Sequence, residues 1–466
     1  MQAPHSEHPE QRERMSATEG RAAAALSLVF AFRMLGMFMV LPVLATYGQD
    51  LAGATPALIG VAIGAYGLTQ ALLQIPFGML SDRIGRLPLI YFGLLVFALG
   101  AALAAEAQSI HGVILGRVLQ GAGAISAVVM ALLSDLTREQ HRTKAMALIG
   151  MSIGVSFAVA MVVGPVLTAA FGLSGLFWAT AIMAVAGMLI VALLVPRVPA
   201  RLNRESRVAR GAILATLKHT DLLRLDAGIL ILHATLMASF VALPLALVDR
   251  GGLPREEHWW VYLSALLIGF FAMVPFIIYG EKKRRMRRVL GGAVAVLLLC
   301  ELYFLFAANN LSALVIGFVA FFTAFTLLEA SLPSLVSKVA PAAGRGTAMG
   351  VYATSQFLGA ALGGVLGGWL FGFGGLEWVF GGCALLAALW LAIAATMREP
   401  PYVTSLRLPL SAAALADADL APRLKGVAGV TDAVVVAEEA ALYVKFDTEQ
   451  LDRTSLERLV EAPPAC

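Results

Sequence analysis

The chain has 466 residues, 59% of them hydrophobic and 14% charged, with a formal net charge of +4. Soluble domains average roughly 45–50% apolar and about 25% charged residues, so this composition excludes an ordinary soluble globule and points to a polytopic membrane protein. The net charge says little about nucleic acid, and no nucleic-acid partner is expected. The isolated cysteines Cys300, Cys383 and Cys466 supply neither a disulfide framework nor a metal site.

Residues 1–21 are polar and carry Arg12, Arg14 and Arg21 ahead of an apolar run too long for a cleaved signal. A spanning helix needs about 20 mostly apolar residues. Twelve runs near that length follow: 23–46, 57–80, 88–106, 112–133, 145–171, 175–196, 222–248, 259–280, 289–308, 311–337, 346–371 and 376–397. None alternates with period two, so helices rather than a barrel satisfy their backbone groups in lipid. The loop 197–221 divides the twelve spans into bundles of six, over 22–196 and 222–397. The loops after the even-numbered spans up to the tenth hold 19 Lys and Arg, and the loops after the odd-numbered spans hold only Arg250 and Arg255. The positive-inside rule then places the even loops and both termini in the cytoplasm.

In chain order, span 1 carries Arg33 near its middle, an intramembrane charge that makes it a candidate for the substrate or proton path. Span 2 carries Tyr66, Gln70 and Gln74 at four-residue spacing, a stripe that suits either a cavity wall or interhelical hydrogen bonds. The turn after span 2, "GMLSDRIGRLP", sets Asp82, Arg83 and Arg86 among Gly78 and Gly85. Gly78 permits close helix approach, the arginines hold the turn inside, and Asp82 at a helix end needs a positive partner such as another helix's N-terminus. Span 4 contains Arg117 and Gln120. A charge inside a span costs about 2.5 kcal/mol or more, so Arg117 is either a hydrogen-bond hub or part of an ion path. Asp135 closes span 4. Span 5 carries Gly164 and Pro165, which by themselves read as a proline kink packed by small residues.

In the second half, His233 lies about three turns into span 7, with Asp226 nearer its start; the histidine is either a satisfied core residue or a proton-exchanging group. After span 8, "IIYGEKKRRMRRV" weakly repeats the first turn, with Glu281 in the place of Asp82 and Arg285 in the place of Arg86. Glu301 in span 9 is expected near headgroups or in structural packing. Glu329 lies deep in span 10 on one face with Thr326 and Pro333, and an intramembrane carboxylate is a proton-path candidate. Tyr352 and Gln356 on span 11 share a face with Gly359, Gly363 and Gly367. This stripe too suits either a cavity or tight packing. The tail beyond span 12 reads β-α-β-β-α over 402–463, a small ferredoxin-like α+β domain without a clear final strand.

The first turn matches the G-x-L-a-D-R-x-G-R signature of major facilitator superfamily transporters at Gly78, Leu80, Asp82, Arg83, Gly85 and Arg86. Arg117, Gln120, Gly121 and Gly123 match a second signature of that family, R-x-x-Q-G-x-G. "RMLGMFMVLPVLATYG", "MALLSDLTREQ" and "RGTAMGVYATSQFLG" extend the resemblance along nearly the whole chain. The resemblance implies the all-α major facilitator fold of two six-helix halves, working by alternating access in a bacterial inner membrane. It implies a cytoplasmic latch of Asp82, Arg86 and Asp135 that docks on the start of span 11, near Gly344 to Gly350. It links Arg117 to proton coupling. The drug/proton antiporter signature of span 5 is half met: Gly164 and Pro165 stand, but Ala160, Thr168 and Ala169 replace glycines. The expected function is proton-coupled transport, with drug/proton antiport of hydrophobic or amphiphilic molecules leading. A metabolite uniporter or symporter, or a sensor signalling through its tail, are the alternatives. The expected partners are the bilayer, a small-molecule substrate and protons, with no cofactor beyond the proton gradient. The tail is expected to self-associate, bind a ligand or pack on the cytoplasmic loops. No nucleophile–base, phosphate-loop or metal constellation suggests an enzyme.

Overall fold

Buried in hydrocarbon, a backbone must bond to itself, and the twelve apolar runs do so as helices. The structure, a computed structural model, describes residues 15–196, 216, 218–341 and 345–400. In the tail it describes 402–411, 414, 415, 417, 419–437, 440–447, 449–451, 456, 458 and 460. Among these, ten helical segments are long and apolar enough to cross a bilayer. Two of them, Lys144–Leu194 and Gly346–Ala395, run to 51 and 50 residues. At about 1.5 Å per residue, a straight helix of that length is more than twice as long as a bilayer's hydrocarbon core is thick. Both segments are broken by glycine instead, at Gly172 (φ 69°) and at Gly374 and Gly375 (φ 74° at the latter). Each therefore makes two crossings, and the described residues hold twelve spans in two halves.

Side-chain caps set several helix starts. Ser16 and Glu19 form a capping box, so span 1 begins at Ala17 and takes up Arg21 from the segment expected to lie outside it. Thr55, Ser109 and Asn310 accept from the first turns of spans 2, 4 and 10. Span 1 is interrupted between Ala17–Phe38 and Leu41–Tyr47, and span 4 between Ile110–Ala122 and Ser126–Leu136. Most of the linker 197–221 lies outside the described residues; span 7 is Thr220–Asp249.

The glycine stripe on span 11 does not line a cavity. A Cβ on Gly359 or Gly363 would lie 2.2 Å from the Leu230 or Ala234 carbonyl oxygen, so the stripe sets span 11 directly on the backbone of span 7. A second set of small residues joins the two halves. A Cβ on Gly60 of span 2 would lie 2.3 Å from the Gly364 oxygen, and one on Gly64 2.5 Å from the Ala361 oxygen of span 11. This crossing lies toward the end of the bundle opposite the basic loops. At the basic end, a Cβ added to Gly346 or Gly350 of span 11, or to Gly150 or Gly154 of span 5, meets nothing within 4 Å. The halves are thus closed against each other at the non-basic end, and these glycines face open space at the other.

In the tail, β1 (Thr404–Pro409), β2 (Val430–Val436) and β3 (Ala441–Phe446) form an antiparallel sheet of order β1-β3-β2. The helix Leu420–Lys425 connects β1 to β2. Strand β3 thus lies between two strands joined through a helix, which is a split β-α-β unit. Leu420, Leu424, Leu442, Val444 and Leu456 give the tail a hydrophobic core of its own. The last residues, 461–466, where a fourth strand could fall, lie outside the described ones.

Candidate functional site

Two polar clusters are embedded in the bundle, one in each half. In the N-terminal half, Arg33 and Arg117 are both buried, at 2% and 1% exposure. Arg33 donates through Nη1 to Ser126 Oγ (2.5 Å) and through Nη2 to Gln70 Oε1. Arg117 donates to the Ala62 carbonyl (3.3 Å) and to Gln120 Oε1 (3.0 Å). Tyr66 packs against both guanidinium groups, with its ring centre 5.7 Å from Arg33 and 5.0 Å from Arg117. Among the described residues neither arginine is paired with a carboxylate. Neutral oxygens and two aromatic rings, Tyr66 and, 5.9 Å from Arg33, Phe97, surround two charges that are costly to bury. The stripe Tyr66–Gln70–Gln74 is therefore interhelical: all three are buried, and Gln74 crosses to the other half to bond Thr354 Oγ1 at 2.9 Å.

In the C-terminal half, Gln356 of span 11 donates to Glu329 Oε1 at 3.0 Å and stands 3.0 Å from His233 Nε2. His233 and Glu329 are 3.9 Å apart, and the Glu329 side chain is 33% exposed while His233 is 9% exposed. Glu329 Oε2, His233 Nδ1, Asp226 Oδ2 and the Tyr352 hydroxyl have no protein partner. Phe325 packs on the histidine, with ring centres 6.1 Å apart. Spans 7, 10 and 11 thus converge on one glutamate whose side chain is partly exposed and whose Oε2 is buried without a partner, near groups able to accept or donate a proton. Thr326 bonds backbone oxygens, including that of Phe322, rather than joining the cluster.

Other expected residues fall elsewhere. Glu301 is fully buried and accepts from Ser239 Oγ at 2.9 Å, a structural contact rather than a headgroup position. Gly164 packs where a Cβ would lie 2.6 Å from the Met39 oxygen, so Gly164 and Pro165 seat span 5 against the break in span 1. Thr168, where the signature has glycine, bonds the Gly164 oxygen at 2.8 Å.

At the basic end, Arg86 is the hub of the first turn. It lies 2.5 Å from Asp82 and 3.3 Å from Asp135, and it also donates to Ser81 Oγ. Gly85 occupies the left-handed region (φ 98°), which lets the turn reverse within one residue. Gly78 packs loosely on Ala127, and Arg83 is exposed. The expected docking of Asp82 on span 11 is not made in this state. Asp82 pairs with Arg86, Gly346 faces open space, and Gly344 is outside the described residues. The repeated turn differs as well: Glu281 pairs with Lys338 (2.7 Å), not with Arg285, which bonds the Tyr279 hydroxyl.

Sequence patterns missed the closure at the non-basic end. There Arg255 of the second half lies 3.1 Å from Asp50 of the first and 4.0 Å from the Tyr47 ring centre. The four-residue spacing of Gly60 with Gly64, and of Gly364 with Gly368, was its available signal.

Two six-span halves, an Arg-centred turn and polar clusters within the bundle define a secondary transporter. Residues 26–364 and 228–417 match the Major Facilitator Superfamily, and the chain belongs to that family of transporters. It is 53% identical over 448 residues to the inner membrane transport protein YajR of Escherichia coli (strain K12), covering 96% of this chain and 98% of that one. Residues 406–462 match the YajR YAM domain. The multidrug resistance protein MdtH of Aeromonas salmonicida is 27% identical over 378 residues, 79% of this chain and 93% of that one. The crystal structure of the nucleoside transporter NupG shares the fold. It superposes with a TM-score of 0.63 at 16% identity, over 82% of this chain and all of that one.

Proposed function

We propose that this chain is a proton-coupled exporter of hydrophobic or amphiphilic small molecules in the bacterial inner membrane, with its basic end and both termini in the cytoplasm. The observation that carries this reading is the Glu329–Gln356–His233 cluster. Its glutamate side chain is partly exposed, lacks a cationic partner among the described residues apart from the histidine, and keeps one buried carboxylate oxygen unbonded. A carboxylate so placed binds a proton when facing one compartment and releases it when facing the other. Arg33 and Arg117 stiffen the opposite half through Tyr66, so that the halves rock as rigid bodies about the central site. The distribution of Lys and Arg among the loops supports the orientation. The likeness to proteins named MdtH supports drug export, and the likeness to YajR supports the inner membrane. The tail reads as a ferredoxin-like module.

The test is proton movement in proteoliposomes loaded with a pH-sensitive dye, while lipophilic cations and other amphiphiles are added singly. Substrate-triggered proton flux is expected, and Glu329→Gln, which keeps the hydrogen bond and loses the titration, should abolish it. Flux that persists in Glu329→Gln removes the residue from the proton path. Transport indifferent to the gradient selects the uniporter reading, which the replacement of the span 5 glycines by Ala160, Thr168 and Ala169 favours.

A further inference from the structure

The two halves treat the same turn differently. In the first, the turn between spans 2 and 3 reverses at Gly85, whose φ of 98° costs a glycine little, and Arg86 ties it to Asp82 and Asp135. In the second, the residue corresponding to Gly85 is Arg284. It still stands in the left-handed region, at φ 51°, where a side-chain-bearing residue is seldom found. The corresponding Arg285 does not reach Glu281. The second turn has therefore kept the backbone reversal and lost both the glycine and the internal hub.

The tail supplies what is missing. Arg284 donates through Nη1 to Asp447 Oδ2 (2.8 Å) and through Nη2 to Asp447 Oδ1 (2.6 Å), a bidentate pair just past β3. Glu449 adds a contact at 3.0 Å. The pairing holds the Asp447 carboxyl below the usual range. Two residues earlier, Lys445 is 3% exposed and donates to the carbonyls of Ser337 (3.0 Å), Lys338 (2.9 Å) and Ala340. Those are the orphan acceptors at the C-terminus of span 10, where a cation is favoured by the helix dipole. Tyr402, at the tail's root, accepts from the Met286 amide at the start of span 9 (2.8 Å). Arg284 and Lys338 each lie 5.5 Å from its ring centre. Every one of these contacts is to the C-terminal half.

We propose that the tail is a brace for the C-terminal half. The C-terminal end of its central strand β3 locks the span 8–9 turn and the end of span 10, as the Arg86 hub locks the span 2–3 turn in the other half. The tail then rides with that half through the transport cycle and neither bridges the halves nor plugs the opening between them. This inference does not rest on proton coupling or on the substrate, and its tests need neither.

The first test is limited trypsin digestion of the full-length chain in lipid nanodiscs. The brace predicts slow cleavage at Lys283 and Arg285 in the wild type and roughly fivefold faster cleavage in Asp447→Asn, the effect of losing one partly exposed charge pair. Cleavage at Arg83 and Arg86 of the first turn should not change, which separates a local release from unfolding. Equal rates at the second turn in wild type and Asp447→Asn, or acceleration at both turns together, overturns the proposal. Lys445→Met gives an independent reading, with faster hydrogen exchange confined to the end of span 10 expected. The second test is a pair of spin–spin distances with Cys466 replaced by serine. A label on Asp419→Cys should keep one narrow distance to Arg288→Cys and show a broad or state-dependent distance to Arg83→Cys. The reverse pattern assigns the tail to the N-terminal half and sinks the idea.

Discussion

Replacing Gly60 by alanine tests the closure between the halves with a single methyl group. The added Cβ would lie 2.3 Å from the Gly364 oxygen, 2.6 Å from the Gly368 Cα and 2.8 Å from the Gly368 nitrogen. All three atoms are backbone of span 11, so no side chain can swing aside. Ordinary contact distances of roughly 3.5 Å then require spans 2 and 11 to part by about 1 Å at this crossing. Overpacking of this kind costs typically 1–3 kcal/mol, but only in the state that closes the non-basic end. Charged to one state alone, it shifts the two-state balance by roughly 5–150-fold toward the conformation open there. Spin labels on the exposed Ala52→Cys and Glu257→Cys report on that end, and labels on Arg83→Cys and Arg288→Cys on the basic end. Gly60→Ala should add a longer population at the first pair and a shorter one at the second. Gly150→Ala, whose methyl meets nothing within 4 Å, should leave both pairs unchanged. Identical distance distributions for Gly60→Ala and wild type would refute the reasoning, because the glycine contact would then not be what holds the halves together.

Three further outcomes follow from named contacts. Reversing Arg255 to Asp opposes it to Asp50 and should open the same end, while adding Asp50→Arg should restore closure; the spin-label pair at Ala52 and Glu257 reads both. Asp82→Asn and Asp135→Asn both act on Arg86, so a thermal double-mutant cycle should show sub-additive losses, with a coupling of about 0.5 kcal/mol or more. The grip of Asp447 on Arg284 should depend on pH. A carboxyl held below its ordinary value of about 3.9 stabilises docking above that value and releases it as pH falls through its depressed one. Hydrogen exchange at the span 8–9 turn should therefore rise on acidification below about pH 4 in wild type, with no such step in Asp447→Asn.

The apolar spans and the uneven distribution of Lys and Arg among the loops follow from composition and charge, because the bilayer sorts residues by transfer energy before any tertiary contact forms. The charges of the first turn, Asp82, Arg83 and Arg86, were equally legible, since they interrupt long apolar runs, whereas their link to Asp135 came only with the resemblance to the family. Other roles were not. Tyr66, Gln70 and Gln74 have the spacing of a cavity wall and of an interhelical seam alike; only the neighbours Arg33, Arg117 and Thr354 decide for the seam. Gly359 and Gly363 read as part of the same face as Gln356, yet they are filled by the backbone of span 7 while Gln356 reaches Glu329. A helical face is wide enough to serve both, and periodicity does not say which neighbour lies opposite.

What the chain determines alone is its succession of apolar spans, the positions of costly intramembrane charges and the presence of a separate β-rich tail. These depend on local hydropathy, local period and one-residue events such as the glycine in the first turn. The tertiary structure alone decided which charges meet: Glu329 with His233 through Gln356, Asp50 with Arg255 across the halves, and Arg284 with Asp447 across 163 residues of chain. Pairing energy depends on separation in space, falling with distance and with the surrounding dielectric, and no pattern within a single span encodes that separation.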